Sequence, residues 1–188
     1  MSEFEYITVL LSIIIGLGVT QLLSGIARLI RDGRALAPAW WVFVAVATLL
    51  LAHFEVWWVS FMWKRVAEWT FFGYVASLVL PVVLYLLAYL VLPGDLHLDG
   101  RHIVEAFIAK RRPFYCLIFL IAPASFFQQW MLTGGVVADL DTAMRLLWIV
   151  LAIPGFLSRR LAVQATIAVA SFTLLAAYVV LLFLRLGG

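Results

Sequence analysis

The stretch Trp41–Trp63, WVFVAVATLLLAHFEVWWVSFMW, decides how this chain is read. As a helix rising about 1.5 Å per residue it reaches roughly 33 Å, enough to cross a hydrocarbon core. Tryptophans at both ends suit the two water–lipid boundaries. Yet His53 lies near its middle, and Glu55 slightly nearer the Trp63 end. A charge at that depth costs about 2.5–3.5 kcal/mol on insertion scales, so it normally faces protein or a wet cavity. Glu55 is the only acidic residue well inside an apolar segment, which makes it the candidate chemical centre.

Working outward, the whole chain shares this character. Of 188 residues, 66% are hydrophobic and 12% charged, with a mean hydropathy of +1.11. Soluble domains carry about 25% charged residues, so that class is excluded. Only helices and closed barrels satisfy their backbones in lipid, and barrel strands would alternate apolar with polar. These segments are apolar all round, so the expected fold is all-α. The apolar runs predict one domain of six transmembrane helices, over about residues 4–30, 41–63, 70–92, 114–132, 143–157 and 161–184. Glu3 and Glu5 stand where a cleaved signal peptide would be basic, so the first run reads as a span.

The longest polar stretch, Pro93 to Arg112, leaves no room for an aqueous catalytic domain. Asp99 is a suitable N-cap, and Ile103, Val104, Phe107 and Ile108 share one face. That pattern predicts a separate short amphipathic helix over 99–112, lying in the interface. His97 and His102 stand without a nearby cysteine and make a poor metal site. The single cysteine, Cys116, excludes an internal disulfide and any multi-cysteine centre.

Charge distribution orients the bundle. Arg28, Arg31, Arg34, Arg101, Lys110, Arg111, Arg112, Arg159 and Arg160 fall on one side. Lys64, Arg65, Arg145 and Arg185 fall on the other, so the positive-inside rule puts both termini outside the cytoplasm. The net charge of +3 therefore reflects membrane orientation and needs no nucleic-acid partner. In the first span Ser12, Gly16, Thr20 and Ser24 recur every fourth residue. Small residues at that spacing let another helix approach closely, so they are expected to form a packing ridge; self-association is expected too.

The polar residues of the outward half form the expected site. Glu55, Gln128, Gln129 and Arg145 come from three helices; the sequence leaves open whether Glu55 pairs with Arg145, the glutamines completing the hydrogen bonds, or stands without a partner to titrate or bind a cation. His53 projects about 200° away from Glu55 around its helix, so the two form no dyad within it. Neutral or charged near its ordinary pKa of about 6.5, His53 would suit a proton relay. A two-histidine haem lacks a second membrane-depth histidine, and a retinal Schiff base lacks a buried lysine. No cofactor is expected, although a quinone or lipid headgroup between His53, Trp57 and Trp58 is a further alternative.

The opening FEYITVLLSIIIGLGVTQLLSG and the run HFEVWW resemble a group of uncharacterised bacterial polytopic membrane proteins. Members of that group have an FEY-like start, a Gly-rich first span and Trp doublets in the second. The resemblance implies a bacterial inner-membrane location and brings no activity or site residue with it. The functional expectation is passage or sensing of a small cation, above all a proton, through Glu55 with help from His53. The rival is a non-enzymatic scaffold that binds partners through the ridge of the first helix.

Overall fold

The computed structural model describes residues 3–31, 36–66, 68–92 and 99–182. Asp32, Gly33, Arg34, His97 and Arg185 lie outside them. Six helices account for nearly all of the described chain: α1 Glu3–Arg31, α2 Trp40–Ser60, α3 Phe71–Val91, α4 Gly100–Thr133, α5 Leu140–Leu157 and α6 Leu161–Leu182. Short 3-10 turns, Ala37–Ala39 and Phe61–Arg65, flank α2. Every one of the six is long and apolar enough to cross a membrane, and the chain is a multi-pass helical bundle.

Side chains at the helix starts satisfy backbone N–H groups that no helical turn can reach. The Thr70 hydroxyl accepts from Gly73 N at 3.0 Å, and the Asp99 carboxylate accepts from the backbone of Arg101 and His102 at 3.0 and 3.1 Å. The Asp139 carboxylate accepts from Thr142 N at 2.9 Å.

Helices α2, α3, α4, α5 and α6 form a ring: α3 packs on α4, α4 on α5, α5 on α6, α6 on α2, and α2 on α3. Helix α1 stands outside that ring, against α2 and α3. Its inward stripe is Ile7, Leu11, Ile15, Gly18, Leu22, Gly25 and Leu29, spaced in steps of three or four. The ridge expected to make this seam points elsewhere. Gly16, Thr20 and Ser24 are exposed, Ser12 is half-buried, and a Cβ on Gly16 would meet nothing within 4 Å. Bulky aliphatic residues bury more apolar surface than small polar ones, so the Leu/Ile stripe wins the inward face. The polar ridge residues meanwhile bond to their own helix, with Thr8 Oγ1 donating to Phe4 O and Ser12 Oγ to Thr8 O, both at 2.6 Å.

A second difference concerns α4. The interfacial helix expected over 99–112 is not a separate element: it runs without a break through Pro113 into the fourth span. Proline removes one backbone hydrogen bond and costs about 3 kcal/mol in a helix interior. Across the opposite, buried face an aromatic ladder offsets that loss. Trp41 meets Phe107 at 5.0 Å, Phe107 meets Phe114 at 5.1 Å, and Phe114 meets Tyr115 at 5.5 Å between ring centroids. Ile103, Val104 and Phe107 are thereby buried in the bundle.

Contact between α1 and α2 depends on one glycine. The His53 ring is fully buried, and a Cβ built on Gly18 would stand 2.1 Å from His53 Nε2. Only a residue without a side chain lets the imidazole occupy this place. Gly18→Ala is therefore expected to destabilise the detergent-solubilised protein by about 1–3 kcal/mol, through overpacking. In a His53→Ala background the same change should cost almost nothing. Equal costs in both backgrounds, measured by equilibrium unfolding, would disprove the contact.

Candidate functional site

The five-helix ring lines a half-open cavity of about 600 Å³. Its walls are apolar over most of their extent, formed by Leu80, Leu84, Ile118, Ile121, Trp148 and Leu175. Polar groups collect toward the end where α2 and α4 finish and α5 begins: Glu55, Arg65, Gln128, Gln129, Thr133, Asp141, Arg145 and Tyr178. No residue of α1 reaches it. A smaller cavity of about 50 Å³ shares Ala52, Leu84, Ile118, Ile121 and Trp148 with the larger one. It continues along the ring toward Trp41, Tyr115 and Gln164.

Arg145 and Asp141 form the tightest polar cluster. They stand one turn apart on α5, the spacing at which opposite charges meet on a helix. Arg145 Nε donates to Asp141 Oδ1 at 3.0 Å, and Nη2 donates to Oδ2, giving the two-pronged geometry that suits guanidinium and carboxylate. Arg145 Nη1 donates to Gln129 Oε1 on α4 at 3.0 Å, and the guanidinium lies 5.5 Å from the centre of the Phe126 ring. Tyr178 of α6 donates its hydroxyl to Asp141 Oδ1 at 2.5 Å. One cluster thus ties α4, α5 and α6 together. Beside it, hydrogen bonds from the Thr142 backbone hold the Asp139 carboxyl below the usual carboxylate range, so an anion stays at the start of α5.

Of the two arrangements open to Glu55, the ion pair with Arg145 does not form, because Asp141 is held closer to the guanidinium by the helix itself. Glu55 is half-buried, faces the cavity, and has no hydrogen bond or ion pair with any described residue. Gln129 serves Arg145, while Gln128 lines the cavity with its buried Nε2 unpartnered. His53 faces away, against α1, with Nδ1 2.7 Å from Leu49 O and Nε2 unpartnered. Trp57 and Trp58 are 42% and 40% exposed and do not line the cavity; its indoles are Trp63 and Trp148. The pocket expected between His53, Trp57 and Trp58 is therefore absent among the described residues.

Asp141 and Tyr178 went unrecognised at the level of sequence. Starting the fifth span at residue 143 leaves Asp141 in a loop, whereas the Asp139 cap starts α5 at Leu140. The Asp–x–x–x–Arg spacing was the available signal. At the far end of the ring, Gln164 is also fully buried, donating from Nε2 to Gly155 O at 2.9 Å and Ser158 O at 2.8 Å. Its Oε1 accepts from Tyr115 at 2.7 Å, and the Tyr115 ring fits over Gly155, where a Cβ would come within 2.2 Å. This network satisfies carbonyls left open where α5 ends, a structural task.

No protein-family model, curated protein or solved structure matches this chain. Its site is consequently read from geometry alone.

Asp141→Asn should lower unfolding stability by about 1–3 kcal/mol, less than the 3–5 of a fully buried pair because both partners retain some exposure. Asp141→Asn combined with Arg145→Gln should recover part of that loss in the same unfolding titration. A single variant as stable as the parent would show that the pair contributes nothing.

Proposed function

We propose that this protein binds and passes, or senses, a small cation, above all a proton, at Glu55. The observation that carries the reading is a half-buried acidic side chain that faces a cavity between five helices and has no hydrogen bond or ion pair with any described residue. The nearby Arg145 is already occupied by Asp141 and Gln129, so it is not free to neutralise Glu55. Intramembrane acids of this kind commonly mark ion or proton pathways. The smaller cavity supports passage, because it adjoins the apolar part of the larger one and shares Leu84 and Ile121 with it. His53 is outside this route and acts, on this reading, through helix packing.

The same reading assigns the protein to a bacterial inner membrane with both termini outside the cytoplasm. The cavity's polar end then opens outward. A second reading, association with another copy or a partner, draws support from the outward-facing Gly16, Thr20 and Ser24 on α1.

Reconstituted into liposomes with a pH-sensitive dye inside, the protein should dissipate an imposed proton gradient. Glu55→Gln should abolish that flux while leaving the unfolding midpoint within a few degrees of the parent. Flux equal to the parent in Glu55→Gln would eliminate the proposal. Indifference of flux to Gly16→Leu, with loss of self-association, would separate the second reading from the first.

A further inference from the structure

We infer that the cavity's occupant is an amphiphilic organic monocation, one positive centre carried on an apolar body, which takes the place of the proton at Glu55. This rests on Glu55 being the cation site proposed above, and adds the substrate class. Volume is the first argument. A cavity of about 600 Å³ falls within the roughly 300–1,000 Å³ of small-molecule pockets, whereas one water occupies about 30 Å³. A bare ion would leave almost all of it empty.

Wall chemistry is the second. Leu80, Leu84, Ile118, Ile121 and Leu175 offer nothing to a hydrated ion but bury the body of an apolar one. Trp148 and Trp63 add aromatic faces, which attract cations desolvated in such a site.

Charge selects the sign. The groups around Glu55 are Asp141 and Arg145 of α5, Tyr178 of α6, Gln128 and Gln129 of α4, and Arg65 at the exposed rim beyond α2; α3 contributes only apolar residues. Asp141 is saturated by Arg145 and Tyr178, and Arg145 by Asp141 and Gln129. Arg65 stands in solvent, so among the half-buried charges of the cavity Glu55 alone is left to take a counter-charge. An anionic amphiphile would face an unmatched carboxylate, while a cationic one supplies the missing partner. Proton and organic cation then compete for one carboxyl group, so entry of the cation into the protonated site releases the proton to water. In the pH range where Glu55 is protonated, cation affinity should fall about tenfold per unit of acidification.

Titration calorimetry of the full-length, detergent-solubilised protein with tetraphenylphosphonium and with tetramethylammonium tests the inference. Tetraphenylphosphonium should bind at least tenfold more tightly than tetramethylammonium, which has the same charge without the apolar body. Glu55→Gln should weaken tetraphenylphosphonium binding at least thirtyfold. Ile118→Trp, or Ser125→Phe if the first does not fold, should weaken it at least tenfold by filling the cavity. Equal affinity for the two cations, unchanged binding by Glu55→Gln, or no binding of tetraphenylphosphonium would each overturn the inference. Glu55-dependent proton flux without tetraphenylphosphonium binding would leave the proton reading standing and remove this one. Glu55-dependent binding without any proton flux would do the reverse.

Discussion

A carboxyl group cannot rest among acyl chains, and this bundle is built around that constraint. Insertion of one acidic residue at membrane depth costs about as much as one or two buried leucines contribute, unless protein or water surrounds it. Five helices form the ring, and Glu55 of α2 faces the cavity they leave, not a tightly packed core. The ring in turn has to be held at its polar end. Asp141, Arg145, Gln129 and Tyr178 do so with hydrogen bonds that cross three helices.

The same logic separates structural polar groups from available ones. Gln164 and Tyr115 are buried at the opposite end, and all of the polar atoms they share are matched to one another or to carbonyls where α5 stops. His53 is buried by the absence of a side chain at Gly18 and serves the α1–α2 contact. Glu55 differs from both. It faces open volume, with no hydrogen bond or ion pair to any described residue.

Helix α1 contributes to this arrangement indirectly. Its Leu/Ile stripe packs α2 and α3 from outside the ring and presses on the rear of His53, two residues from Glu55 in the chain. Its opposite edge, with Gly16, Thr20 and Ser24, remains on the surface of the bundle. Packing inside the protomer and any contact between protomers therefore use different faces of one helix.

The sequence by itself determined the all-helical, six-span architecture, because lipid forces every backbone group to be satisfied within its own segment and apolar runs declare those segments. It also marked Glu55 as exceptional and placed it on the other side of α2 from His53, since helical periodicity alone decides that. Tertiary structure decided what each polar residue meets. Which of two carboxylates takes Arg145 depended on where α5 begins, a matter of two residues and one cap at Asp139. Which face of α1 turns inward depended on the apolar surface that α2 and α3 offer it, and at Pro113 the rings of α4 itself are joined by Trp41 of α2, a contact only the fold brings about. The cavity belongs wholly to this second class: volume left between five helices is a property of their arrangement, and no segment carries it alone.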